Sequence, residues 1–256
     1  MDMGLRMMKD NFELLVKNIK RDDGEFLFAG LYGSQNYGLE TKDSDIDIKA
    51  IYLLDLNSLV ERKEISRHTE HVVYKDLYSF IKCLKKPNIN FLEILFSDYI
   101  SINPNYRYWV ERLLSRREDI ARIDEIRLLK SIYGMSESKM KLINRDYDTN
   151  KLGKHVYYLM FLHNFIESFF INKKTFKESL TSEDIYSREE ILSIKKSEEV
   201  GLYYAKQCYL LLNQKIKYIE ENKLADSTDL EIATFLDNML RDIYRERLRY
   251  TLEWNV

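Results

Sequence analysis

A chain of 256 residues is long enough for one large domain or two small ones, either of which can bury a substantial core. Lys+Arg 40 stand against Asp+Glu 42, a net charge of -2, which excludes a global basic footprint for nucleic acid and leaves only a local patch open. The two cysteines, Cys83 and Cys208, are far apart with no metal-ligand neighbour and read as free thiols of a reducing compartment, while 2 prolines and 8 glycines favour a helix-rich fold with few loops.

Met1 to Asp23 mixes charged and apolar residues and lacks the continuous apolar stretch of a signal peptide; no run approaches a membrane span, so the expectation is a cytoplasmic protein. The spacing of Leu5, Met8, Phe12, Leu15 and Ile19 predicts an amphipathic helix covering one face of a sheet. Phe26 to Tyr32 reads as a buried strand and runs into Gly33-Ser34, where the missing Cβ lets the backbone approach a phosphate and the hydroxyl can bond one. Ile46 to Leu54 reads as a second strand, with Asp45 and Asp47 on one face and Ile46 and Ile48 on the other. Two carboxylates side by side can bridge divalent ions; without metal they repel each other.

Taken singly, Gly-Ser is an ordinary turn and Asp-x-Asp a solvated strand edge. Asp43-x-Asp45-x-Asp47 is not a calcium loop, because Ile48 stands where the sharp-turn glycine is needed and Leu54 where the bidentate glutamate belongs. Together, the strand, Gly33-Ser34, Gly38 and Ser44-Asp45-Ile46-Asp47 put a phosphate cradle and a metal-binding carboxylate pair on adjacent strands. Metal-assisted nucleotidyl transfer requires that combination.

Asp55 to Ser58 then breaks the apolar alternation, and the charged run Glu61 to His68 has the character of an exposed hairpin arm. Glu70 to Tyr74 reads as a third strand, ending where Asp76 caps a helix through Leu77, Phe80, Ile81 and Leu84. Lys85 to Asn88 ends that helix, and Asn90 to Phe96 opens another in which Glu93 is the only charge. Such an acid needs a partner when buried, either in a salt bridge holding the two halves of the chain together or in an active site. Ile100 to Ile102 is a final edge strand, stopped by Pro104. Beyond it, apolar residues three or four apart predict helices near Tyr106-Leu114, Ile120-Ile143, Lys154-Phe170, Ser187-Ile194, Gly201-Glu221 and Asp229-Glu246. Asn144 to Lys151 and Leu224 to Ser227 read as loops. The expected fold class is therefore α+β: a small mixed-sheet domain with flanking helices over residues 1–104, then an α-helical bundle over 105–256. The stripe Tyr157, Tyr158, Phe161, Phe165, Phe169 and Phe170 reads as core.

Over Gly33 to Lys49 the sequence resembles the DNA polymerase beta-type nucleotidyltransferase superfamily, and more narrowly the bacterial and phage nucleotidyltransferases that include RNA-repair-associated members. Asn88-Phe96, Tyr133-Gly134, Lys154-His155 and Ile191-Lys196 extend the resemblance over most of the chain. It implies transfer of a nucleoside monophosphate from an NTP, ATP in particular, to an acceptor hydroxyl with release of pyrophosphate. Asp45 and Asp47 would hold two Mg²⁺ ions, with Mn²⁺ as a substitute, and Gly33, Ser34 and Ser44 would position the triphosphate. The family's third acidic residue aligns with His71, beside Glu70. A neutral His71 can ligate metal or orient water, Glu70 can face the site if the register differs by one, and a missing third ligand is the remaining alternative. The position of Lys154-His155 implies a contact to the triphosphate, against the plainer reading of a solvated first turn; Tyr158 and Phe161 are aromatic where polar residues are expected. The association with RNA repair favours an RNA or tRNA 3′ end as acceptor, with a protein hydroxyl or an antibiotic-type small molecule as alternatives. A catalytically silent module binding a nucleotide or a partner is the reading from another class; the retained Asp45-Asp47 pair argues against it.

Overall fold

A computed structural model of the chain describes residues 3–19, 24–41, 44–61, 66–146, 152–197, 199–222 and 228–253. They gather into two compact units, one spanning 1–36, 42–123 and 228–256, the other 37–41 and 124–227.

The first unit is built on a sheet that is apolar on both faces. Helix α1 (Met3–Lys17) precedes β1 (Glu25–Leu31), buried at every position after Glu25, and β2 (Ile48–Leu53), buried throughout. A short helix α2 (Leu56–Val60) follows, begun by Asp55, whose carboxylate accepts the Ser58 N–H at 2.7 Å. Strands β3 (Ser66–His68) and β4 (Val72–Asp76) come next, then α3 (Leu77–Lys85), capped by Asp76 through the Ser79 N–H at 2.8 Å as its sequence predicts. A single turn α4 (Ile89–Leu92) tightens into a 3₁₀ turn, Glu93–Phe96, before β5 (Ile100–Ile102).

The strand order is β3-β4-β2-β1-β5, with β2 and β4 parallel and the other pairs antiparallel, which is the mixed sheet expected. A register shift between Phe26 and Phe28 resets the alternation, so Phe26, Ala29 and Leu31 share one face with Ile48, Ala50, Tyr52 and Tyr74, and there they meet Phe12 of α1. Phe28 faces the other way, 5.8 Å from the ring of Phe80 on α3. The strands are shorter than the sequence suggests at the ends that matter. β2 begins at Ile48, so Asp45 and Asp47 lie in the irregular segment leading into it; β4 begins at Val72, so Glu70 and His71 precede it.

Helices α5 (Arg107–Ser115) and α6 (Arg117–Ala121) also belong to this unit. The expected continuous helix over Ile120-Ile143 is interrupted because Asp124 accepts the Arg127 N–H at 2.9 Å and starts α7 (Glu125–Arg145) afresh.

The second unit holds α7, α8 (Leu152–Ile166) with its π-turn continuation Glu167–Ile171, α9 (Phe176–Leu180), α10 (Arg188–Lys196) and α11 (Leu202–Asn222). Helix α8 is buried almost all round, and Phe165, Phe169, Phe170 and Phe176 form an edge-to-face and stacked ring cluster at its end. Gly153 is required there by close packing, since a Cβ would collide with the Ile194 carbonyl. Residues 37–41 belong to this unit: Tyr37 stacks on Phe161 at 4.0 Å, Arg188 donates to the Gly38 carbonyl, and Lys195 donates to the Leu39 carbonyl at 2.6 Å.

Helix α12 (Leu230–Glu253) returns to the sheet unit. It packs on α3, buries Ile232, Leu236, Met239 and Ile243, and is tied by Lys85 to Asp237 at 2.7 Å, by Trp109 Nε1 to Glu246 at 2.6 Å and by Arg247 to the Leu53 carbonyl at 2.9 Å. The sheet unit thus includes α5, α6 and α12, which follow residue 104. The expected loops fall largely on residues 147–151 and 223–227, and part of the hairpin arm on 62–65, all outside the described residues. Among the described residues both cysteines are free thiols, and no helix is long and apolar enough to cross a membrane.

Candidate active site

The site residues of the sheet unit meet at one end of the sheet, where β1 finishes and β2 and β4 begin. The antiparallel register pairs Leu31 with Ile48, and one step beyond it the Tyr32 N–H bonds the Asp47 carbonyl at 3.1 Å. The chain then turns at Gly33, whose φ of +76° lies in the left-handed region, and makes a 3₁₀ turn over Gly33–Gln35. A Cβ at Gly33 would meet nothing within 4 Å, so backbone conformation rather than space selects glycine. The parallel register pairs Ile48 with Val72 and so sets His71 beside Asp47, Nδ1 to Oδ1 at 3.7 Å.

Asp45 is exposed and Asp47 half-buried. Burial and then the Asp45 charge push the Asp47 carboxyl above the ordinary carboxylate value, against the pull of His71 and Lys49. The Gln35 side-chain amide donates to the Asp45 carbonyl at 3.4 Å, linking the turn to the carboxylate segment. Ser34 is half-buried in the turn, and Ser44 half-buried one residue before Asp45. Glu70 is exposed. Of the two candidates for the third position, His71 is therefore the one brought to the pair.

Glu93 was expected to need a partner, and it has several. It is fully buried; Oε1 takes the Lys49 ammonium at 3.0 Å and Oε2 the Gly33 N–H at 2.8 Å. Lys49 lies on β2 in the same unit, so the bridge is internal to the sheet unit and does not join the two halves of the chain. Burial pulls the Lys49 ammonium below its ordinary value, and Glu93 opposes that shift. Lys49 and Asn36 are given no role by the sequence, yet a signal for Lys49 is present: it is the lone charge in an apolar strand, as Glu93 is in an apolar helix, and opposite charges in such surroundings need each other.

The second unit carries the remaining candidates. Lys154 is exposed on the first turn of α8. His155 Nε2 lies 2.9 Å from Asp146 Oδ2, and Arg145 grips the same carboxylate at 2.6 and 2.9 Å. Arg145 first, and His155 with it, hold the Asp146 carboxyl well below the usual range. His155 is thus engaged in an ion-paired cluster of its own.

The donor set at Asp45 and Asp47 suits a hard divalent cation. Burial, and then the Asp45 charge, raise the Asp47 pKa, and the buried His71 Nδ1 has no hydrogen-bond partner. Among the described residues no group of three His, Cys, Asp or Glu side chains is assembled around a metal position.

The mixed sheet brings a glycine-serine turn and a carboxylate pair to one end, and the chain is of the polymerase beta-like class. Residues 7–164, more than half of the chain, match the RNA repair pathway DNA polymerase beta family, and the chain belongs to it. It is also similar to an uncharacterized protein of Methanocaldococcus jannaschii, 30% identical over 90 residues that cover 31% of this chain and 37% of that protein. The similarity thus spans little more than a third of that relative's length.

Proposed function

We propose that the protein transfers a nucleoside monophosphate from an NTP, ATP in particular, to the hydroxyl of an RNA or tRNA 3′ end, releasing pyrophosphate. The observation that carries the reading is the Asp45-Asp47 pair, brought by the β1-β2 pairing to the same sheet end as the Gly33-Ser34 turn, where burial and then the Asp45 charge raise the Asp47 pKa.

Asp45 and Asp47 would hold Mg²⁺, two ions, with Mn²⁺ as a substitute. The chemistry such cations would supply there is a lowered pKa for the acceptor hydroxyl and neutralised charge on the leaving pyrophosphate. Ser34, with Gly33 shaping its turn, and Ser44 position the triphosphate through hydroxyl and backbone groups. His71, beside Asp47, orients that carboxylate or a bound water; its ring nitrogen is the nearest candidate for a third donor. Family position gives Lys154 and His155 a phosphate contact as well; the exposed Lys154 ammonium is the better supported of the two, since His155 is held by Asp146.

The test is incubation with each α-labelled NTP and Mg²⁺ or Mn²⁺, with total RNA, protein extract or no acceptor, comparing the wild type with Asp45→Ala/Asp47→Ala. Label entering RNA only with the wild type is the expected result. Label entering protein would transfer the same chemistry to a protein acceptor, and nucleotide binding without any transfer would favour a silent binding module.

A further inference from the structure

We propose that Glu93 is the positioning residue of the nucleotide turn, a role that rests on reading Gly33-Ser34 as the triphosphate cradle. One residue holds both ends of that turn. Glu93 Oε2 accepts the Gly33 N–H at 2.8 Å where the turn begins, and the Glu93 carbonyl accepts Asn36 Nδ2 at 3.1 Å where it ends. Asn36 also donates to the Leu31 carbonyl at 2.7 Å, so the turn is fastened to the last residue of β1.

The energetics argue for a purpose other than stability. A fully buried carboxylate loses its hydration, and a buried ion pair is often no better for stability than apolar side chains of the same volume. What the carboxylate adds is a charge-assisted bond to a backbone N–H, stronger and shorter than a neutral one. That bond restrains Gly33 in its left-handed conformation, from which Ser34 leaves the strand. Lys49 serves this arrangement and not the substrate: its ammonium bonds the Asn90 carbonyl and Glu93 and sits 3.8 Å from the centre of the Tyr32 ring, with 6% of the side chain exposed. The Gly33 amide, being committed to Glu93, is likewise no phosphate donor. Triphosphate recognition in this turn then falls to Ser34, and its geometry is set from behind by Glu93.

Two double variants separate positioning from stability. Lys49→Met/Glu93→Gln removes the charge pair but keeps an oxygen to accept the Gly33 N–H, whereas Lys49→Met/Glu93→Leu removes that acceptor too. With folding checked by thermal melts, the leucine variant should raise the KM for ATP about tenfold with kcat little changed, the loss expected for one charge-assisted hydrogen bond. The glutamine variant should stay within about threefold of the wild type, and hydrogen exchange at the Gly33 amide should be slow in it and fast in the leucine variant. Equal KM values in the two folded variants overturn the proposal. If either double variant does not fold, Glu93→Asp, which keeps the charge and shortens the reach, should raise KM alone; an unchanged KM there also overturns it. A wild type that neither binds MgATP in calorimetry nor transfers label would remove the cradle reading and the positioning role with it, a failure told apart from the first because there the wild type binds.

Discussion

His71 Nδ1 stands 3.7 Å from Asp47 Oδ1, the two residues lying just ahead of the parallel strands β4 and β2. The contact is an ion-pair distance and not a hydrogen bond, so the imidazole is near enough to act on the carboxylate while its ring nitrogen remains unpartnered. Glu70, one residue earlier, is exposed. His71→Ala should therefore lower kcat/KM about 10- to 100-fold, the usual cost of losing a group that orients a metal-binding carboxylate, while Glu70→Ala stays near the wild type. A Mg²⁺ titration of label transfer checks both; the reverse ranking would return the role to Glu70.

Asp47→Asn should abolish transfer without weakening the fold. The Asp47 carboxyl lies above its ordinary value when folded, so its proton favours the folded state. That contribution is complete below the ordinary carboxylate pKa and is lost as pH rises through the raised one. At neutral pH the ionised wild type bears the cost of burying the charge and the repulsion from Asp45, and the asparagine variant does not. Melts of the metal-free proteins should place the variant at or above the wild type at pH 7, with the difference closing as the pH falls through the carboxylate range. A clear loss of stability at pH 7 would contradict the assigned environment.

Gly33→Ala tests the turn. Nothing obstructs a methyl group, so the cost is conformational, about 1–2 kcal/mol for an L-residue held at positive φ. Gly33→Asn should cost less, because asparagine tolerates that region. Urea midpoints with unchanged m-values would show the ranking alanine below asparagine below glycine.

Leu236→Ala should destabilise the sheet unit by about 2–5 kcal/mol, the range for a fully buried leucine on a packed helix face. Equilibrium denaturation followed at Trp109, whose indole bonds Glu246 on α12, reports on that contact directly.

Much of the sheet unit was legible because its signals are local. Phe26-Leu31 is an unbroken apolar run, Asp76 sits one residue before an amphipathic segment, and Pro104 stops an edge strand. Gly33, Asp45 and Asp47 stood out for the same reason. What escaped was set by distant pairing. The start of β2 at Ile48 depends on Leu31 and Val72 across the sheet, so alternation alone began the strand at Ile46 and placed Asp47 inside it. The Lys49-Glu93 bridge spans 44 residues, and neither end announces which partner it will find. Asp124 looked like one more charge in a long helical pattern, though its carboxylate caps a new helix. The return of α12 to the sheet unit was hidden because an amphipathic stripe records that a face is buried and not what buries it.

That return bears on how the protein is made. A ribosome delivers α12 only after all of residues 124–227, so the sheet unit waits for the whole of the other unit to emerge before α3 gains its covering helix and the Leu53 carbonyl its guanidinium. A nascent chain paused before Leu230 carries an open apolar surface on α3, the kind of intermediate that chaperones hold and that aggregates when they do not.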